Sequence, residues 1–352
     1  MKRLLFAFIL LSFANRGFSQ EQMIRNHYVD TVGFAHLPWQ VDSVIQRIYR
    51  SHGKPAFSNK VTKMAICPHD DYTYAGFLYP RAIANIQAKT IILLGVAHKA
   101  RLWNLENKLV FASFTGWKGP FDICKVSPYE QELKSKLNPD YSMVHDSMQI
   151  VEHSLESMIP FIQYYHPGAE IIPILVPAMS YTRMDSLATS FAASIYAMMK
   201  IHHLSWGKDL AILITTDAVH YGDEDWGGKN YAPFGTDSTG YRKAVEKEHA
   251  LAHGLTGPVR YEMARGFYSS TVQENNFRDY KWTWCGRYSV PFGILTAAHL
   301  ARLLNALPLK GYLQGYANSI DHDPLPVKDL RMGITAPASL HHWVGYASIV
   351  YY

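Results

Sequence analysis

The feature that most constrains this chain is an alternation of short, continuously apolar runs with segments of helical periodicity. Lys63–Cys67, Thr90–Leu94, Leu109–Ala112, Glu170–Val176 and Asp209–Thr215 predict strands. Tyr79–Ala88, Ser127–Lys136, Ser154–Tyr165, Tyr181–Lys200, Gly240–His253 and Phe292–Asn305 predict helices. Strands without an alternating polar face must be covered on both sides. The pattern therefore predicts an α/β fold, with one mostly parallel or mixed central sheet flanked by helices on both faces. A further helical pattern over Val41–Ser51 puts Val44, Ile45, Ile48 and Tyr49 on one face and ends at Gly53-Lys54-Pro55, which predicts an N-terminal arm over 20–59 packed on a single domain over 60–352. Tyr221–Ser238, rich in Gly, Asp, Trp and Tyr, predicts a long surface loop or lid, and Trp343–Tyr352 a final strand.

Composition bounds the partners. With 48% hydrophobic and 13% aromatic residues the chain has ample material for a core, which excludes a disordered polymer. The formal charge of +5 is dispersed with no long Lys/Arg block, so nucleic acid is not an indicated partner. Met1-Lys2-Arg3, the apolar run Leu4–Ala14 and the small-residue pattern Gly17-Phe18-Ser19 have the form of a secretory signal peptide over 1–19. A membrane span needs roughly 20 apolar residues, more than this run or any later one supplies. The expectation is an exported protein, periplasmic or secreted, with no membrane span. Of the 3 cysteines, Cys67 and Cys124 can pair in an oxidising compartment and leave Cys285 as the odd thiol; the alternative is that all are small buried apolar residues.

Three of the apolar runs lead directly into groups suited to metal or acid/base chemistry. Met64–Cys67 precedes Pro68-His69-Asp70-Asp71-Tyr72, Thr90–Leu94 precedes Gly95-Val96-Ala97-His98, and Ala211–Thr215 precedes Thr216-Asp217-Ala218-Val219-His220. In an open α/β sheet ligands bind beyond the carboxyl ends of the strands, so residues far apart in sequence can meet there. One such histidine is more often a strand cap, whereas three in succession favour a site. Cys285 stands in Trp282-Thr283-Trp284-Cys285-Gly286-Arg287, ahead of a helical pattern and beside Arg287; positive potential there would favour the thiolate, and simple packing is the alternative. The remaining candidates are weaker. His249 and His253 are four apart on a helical pattern but have no catalytic Glu between them, and the adjacent pairs His202-His203 and His341-His342 point apart. The chain has neither a phosphate-binding Gly-rich loop nor a Gly-x-Ser-x-Gly elbow.

Taken together, Pro68-His69-Asp70-Asp71-Tyr72-Thr73-Tyr74-Ala75-Gly76, Gly95–His98, Glu152-His153-Ser154-Leu155-Glu156, Ile171–Val176, Asp217–Gly222 and Cys285-Gly286-Arg287 resemble, in order, the motifs of the Memo-like family. That family is also called AmmeMemoRadiSam system protein B and is related in fold to class III extradiol dioxygenases. The resemblance implies a metal triplet of His69, His98 and Cys285, with Asp217 and His220 in the same pocket and Glu152 and His153 opening a helix beside it. Arg287 and Tyr72 fall in the matching stretches as orienting or substrate-contacting candidates. Two positions depart from the family pattern: Asp70-Asp71 replaces an Ala-Gly pair, and Lys99 replaces a histidine after His98. The acidic pair either adds ligands or substrate contacts, or solvates a loop and pairs with Lys99.

Two imidazoles and a thiolate suit iron, copper or zinc and disfavour magnesium or calcium, and three protein ligands leave a tetrahedral metal one open position. The expected cofactor is thus one divalent or redox metal ion, with iron or copper preferred. The leading reading is a metal-binding protein with redox chemistry, in which Cys285 serves both as ligand and as reactive thiol, His220 acts as acid/base, and Asp217 orients it or the metal-bound water. Two alternatives are an oxygen-dependent, extradiol-type enzyme on an aromatic substrate, with Asp70 or Asp71 as its carboxylate, and a non-enzymatic module holding a peptide or small ligand in a strand-end pocket.

Overall fold

A computed structural model describes residues 23–56 and 59–352; the signal peptide expected over 1–19 lies outside the described residues. The strands, in chain order, are β1 Ile24–Arg25, β2 Met64–Cys67, β3 Thr90–Val96, β4 Leu109–Phe111, β5 Gly116–Lys118, β6 Ile123–Lys125, β7 Ser142–Val144, β8 Glu170–Val176, β9 Leu210–Thr215, β10 His220–Gly222, β11 Gly257–Pro258, β12 Lys310–Asn318 and β13 His342–Tyr351. A 10-stranded sheet has the order β11-β12-β13-β2-β9-β3-β8-β4-β7, with β10 pairing β13, and β1-β5-β6 form a separate small sheet. The contiguous strands β2, β9, β3 and β8 are mutually parallel, whereas β13 joins β2 and β4 joins β8 in antiparallel fashion. The sheet is mixed, with a parallel centre.

Side-chain alternation explains why the runs are apolar throughout. Met64, Ile66, Ile92, Leu94, Ile172, Ile174, Ile212 and Ile214 enter one core, beneath the helices Tyr181–Ile201 and Ser289–Leu303. Ala65, Cys67, Ile91, Leu93, Ile171, Ala211 and Leu213 enter the other, with the helices Pro38–His52 and Ile159–Tyr165. Successive residues point to opposite faces and both faces are covered, so no position in these strands can be polar without a buried partner.

The strands expected at Glu170–Val176 and the C-terminus match β8 and, within a residue, β13; the others agree to within two residues at either end. The helix expected over Tyr79–Ala88 is shorter, Tyr79–Ile83, because the chain must turn back to enter β3. Strand β12 escaped the sequence pattern: Gly311 and Gly315 interrupt it, and a register shift between Leu313 and Gly315 breaks its alternation. The loop 223–237 matches the surface loop expected over Tyr221–Ser238, except that Tyr221 and Gly222 belong to β10.

The arm is attached through charge as well as apolar packing. Val41, Val44, Ile45 and Ile48 seat the helix Pro38–His52 in the core. Arg25, only 1% exposed, pairs with Glu156 at 2.8 Å, lies 4.2 Å over the Trp117 ring, and donates to the carbonyls of Gln149, Ile150 and Glu152. These bonds pin the loop that carries Glu152. Cys67 and Cys124 are both buried and unpaired, so the disulfide considered for them is not formed. Cys67 lies in the main sheet and Cys124 in β6 of the small one, each packed as a small apolar side chain.

Candidate functional site

The carboxyl ends of β2, β9 and β3 converge. Register makes Cys67 the partner of Thr215, and Thr216 N donates to the Cys67 carbonyl, so His69 and Asp217 each stand two residues beyond a paired strand end. Asp217 Oδ1 accepts the His69 backbone N–H at 2.9 Å, and Oδ2 lies 3.4 Å from His69 Nε2. The ring's other nitrogen, Nδ1, is 3.1 Å from Thr215 Oγ1, which sets its rotation. Thr215 ends a strand run and was not singled out from the sequence; only the pairing of β2 with β9 reveals its role.

Cys285 completes this side of the site. Its Sγ lies 3.3 Å from His69 Nε2 and accepts the Asp217 backbone N–H at 3.0 Å. Gly286 allows the approach, because a Cβ there would stand 2.2 Å from Thr216 Oγ1, the atom that accepts the Gly286 N–H at 2.9 Å. Arg287 does not favour the thiolate as the sequence suggested: its guanidinium turns away, 3.5 Å over the Tyr280 ring and 4.6 Å over Tyr288. Burial first, and then Asp217, push the Cys285 thiol well above its ordinary value.

His98 stands two residues beyond β3. Glu152, fully buried, accepts its backbone N–H through Oε2 and pairs with Nδ1 through Oε1, both at 2.8 Å. A carboxylate on Nδ1 makes that nitrogen the donor and fixes the orientation of the ring. Burial alone would raise the Glu152 carboxyl, but attraction to and hydrogen bonding with His98 outweigh it and hold the group down at about 2. His153 stacks on His98 with ring centroids 4.6 Å apart, and His69 meets both rings edge-on at 5.2 and 5.5 Å. Glu152 and His153 do not open a helix: they occupy the turn between the helix Asp146–Ile150 and the short turn Glu156–Met158, where the Glu152 carboxylate also accepts the Ser154 N–H.

Two overlapping groups result, each with ligand atoms within 4.8 Å of one another: His69, His98 and His153, and His69, Asp217 and Cys285. His69 belongs to both, and the expected triplet of His69, His98 and Cys285 is divided between them. Either group can hold a metal ion. A third group, Asp223, Glu224 and His341, lies on the surface.

Burial keeps the His69, His153 and His220 imidazoles neutral. His69 is driven well below its ordinary value by desolvation and by His98, His153 and His220; His153 falls to about 4, chiefly by desolvation with His98 next. His220 falls to about 3 through desolvation and the nearby histidines, and its Nε2 has no hydrogen-bond partner. Its ring lies 5.3 Å from Trp226 of the surface loop. Asp217 does not orient His220; among the described residues its carboxylate faces His69. Desolvation, reinforced by Asp70, raises Asp217 well above the carboxylate range.

Asp71 is buried and Asp70 only partly exposed, and neither pairs with Lys99 among the described residues. The Tyr346 hydroxyl donates to Asp70 at 2.7 Å, while Thr335 donates its backbone N–H to Asp71 at 2.6 Å and its hydroxyl at 3.1 Å. Asp71 therefore ties the chain after β2 to the C-terminal segment; desolvation and Asp70 push it up to about 8. Tyr72 points into the core, its hydroxyl donating to the Ser157 carbonyl at 2.6 Å. His249, His253, His202 and His203 are exposed surface residues.

Cys285 and His98 line a cavity of about 820 Å³ together with Val96, Val176, Arg101, Lys229, Arg278 and Arg287. No described helix is long and apolar enough to cross a membrane.

The family model described as "Memo-like protein" matches residues 34–324. A MEMO1 family protein of Thermococcus kodakarensis is 23% identical over 88% of this chain and 92% of its own length. One from Methanosarcina barkeri is 27% identical over 45% of this chain and 54% of its own, and one from Pyrococcus furiosus 23% identical over 54% and 62%. The matched span contains His69, His98, Glu152, Asp217 and Cys285 together with the strands that position them, and by this correspondence the chain belongs to the Memo-like protein family.

Proposed function

We propose that this protein binds one redox-capable metal ion, iron or copper, through His69, His98 and Cys285, and uses it in redox chemistry outside the cytoplasm. The observation that carries the reading is the surroundings of His69 Nε2: Cys285 Sγ and Asp217 Oδ2 stand 3.3 and 3.4 Å away, and the ring's other nitrogen is occupied by Thr215. The donor chemistry fits such an ion. The His69 imidazole is held neutral by burial, as a ligand must be, and Asp217 is buried with no Lys or Arg paired to it among the described residues. Export rests on the leader-like run Leu4–Ala14.

When bound, such a metal supplies a Lewis-acidic centre able to exchange electrons. The protein's own part is to position and to carry protons. Glu152 fixes the His98 ring with Nε2 presented, Thr215 does the same for His69, and the Asp217 backbone N–H steadies the sulfur. The Cys285 thiol, raised by burial, would have to give up its proton to serve as a metal ligand. His220 is the acid/base group of this reading on the strength of its unpartnered Nε2, although burial pulls its imidazole down to about 3 and so disfavours its protonated form.

Metal analysis of the purified chain tests the proposal, with about one equivalent expected and a sharp loss in Cys285→Ser. Stoichiometric metal in the folded triple variant His69→Ala, His98→Ala, Cys285→Ser would sink it.

A further inference from the structure

The cavity above the site has an imbalance of charge that the metal reading does not use. Of its acidic wall residues, Glu106 is matched by Arg278 in a two-pronged pair at 2.7 and 2.8 Å, and Asp279 accepts from the Asn276 amide at 2.7 Å. Arg101 donates to the Arg278 carbonyl, and Lys229 stands exposed on the surface loop; neither meets a carboxylate among the described residues. The wall is left with an excess of positive charge.

Arg287 is the residue in tension. It is only 6% exposed, lines the cavity two residues from Cys285, and donates through one terminal nitrogen to the Arg278 carbonyl at 3.2 Å. Its Nε is buried without a partner. A guanidinium cannot shed its charge, and a buried one is ordinarily matched by an anion. The Tyr280 and Tyr288 rings satisfy its flat faces and hold it rigid, but they leave its in-plane donors, the fork that recognises carboxylate and phosphate oxygens, incompletely used.

We propose that this cavity takes a small ligand bearing an oxyanion group, a carboxylate or a phosphate, received by Arg287 with Lys229 at the mouth and held beside Cys285 and His98. Tyrosines 231, 280 and 288 supply walls for an apolar or aromatic body. The inference rests on this cavity being the working face of the proposed site but not on metal being present, so the two readings fail separately.

The test is calorimetric titration of the full chain, stripped of metal by chelation, with benzoate, phenyl phosphate and neutral benzyl alcohol. At least one anion is expected to bind about tenfold or more tightly than the alcohol, the difference a charge-assisted fork provides. Preference for benzoate assigns a carboxylate ligand, and preference for phenyl phosphate a phosphate one. Arg287→Gln should erase the preference while leaving benzyl alcohol unchanged. Should that buried substitution fail to fold, Lys229→Glu, exposed at the mouth, should weaken the anion about fivefold or more without altering thermal stability. Anions that bind no better than the alcohol, or a preference undiminished in folded Arg287→Gln or in Lys229→Glu, would overturn the proposal.

Discussion

Glu152 grips His98 at two points, accepting its backbone N–H through one carboxylate oxygen and pairing with its Nδ1 through the other, both at 2.8 Å. The two residues are 54 positions apart, and the contact fixes both where His98 sits and which nitrogen it presents. Glu152→Gln, which cannot accept at both oxygens, should lower metal affinity about 10- to 100-fold, read by competition with a chelating dye. Unchanged affinity would remove Glu152 from the assembly of the site.

The same carboxyl dictates a pH dependence. Its folded value, about 2, lies below its ordinary 4.5, so its contribution to stability is complete above pH 4.5 and is lost as pH falls through 2. Urea unfolding of metal-free wild type and Glu152→Gln should therefore differ by about 2–3 kcal/mol at pH 6 and converge towards pH 2. A difference constant over that window would contradict the assignment.

Arg25 is the buried cation that ties the arm to the Glu152 loop. Arg25→Ala strands Glu156 and leaves four carbonyls, those of His27, Gln149, Ile150 and Glu152, without their donor, so a loss of about 3–5 kcal/mol in chemical denaturation is expected. A loss below about 1 kcal/mol would mean that the pair adds no more than an exposed one.

Glu248 braces the segments that carry Cys285 and His220: it accepts from Trp282 and Trp284 Nε1 at 2.6 and 2.7 Å and from Val219 N at 3.0 Å. Burial pushes it up to about 7 against these bonds. A raised acid contributes stability that is complete below its ordinary 4.5 and lost as pH rises through 7. Tryptophan emission should titrate with a midpoint near that value in wild type and stay flat in Glu248→Gln.

Gly286→Ala should displace Cys285, since the added methyl collides with Thr216. A cost of about 1–3 kcal/mol and reduced metal uptake are expected, measured by thermal unfolding and metal analysis. Alkylation of the unfolded chain without reductant should label all three cysteines; recovery of a Cys67–Cys124 cross-link would contradict the packing of those residues.

The apolar runs specified β2, β3, β8 and β9, and with them the ends at which His69, His98 and Asp217 stand, because buried strands and helices leave a periodic trace in their own residues. Strand β12 left none, since its glycines and shifted register break the period. Asp70 and Asp71 illustrate the other limit: two adjacent acids in a loop are ordinarily solvated, and only Tyr346 and Thr335, more than 260 positions away, give them hydrogen-bond donors within the fold.

What the sequence by itself determined is thus the layered α/β architecture and the location of the site beyond the parallel strands, both consequences of local pattern. The tertiary structure alone decided which partner each reactive group received: Glu152 for His98, Thr215 and Asp217 for His69, and two tyrosine rings rather than a thiol for Arg287. Those choices depend on strand register and on contacts between distant segments, and they set the protonation and orientation on which the chemistry of the site depends.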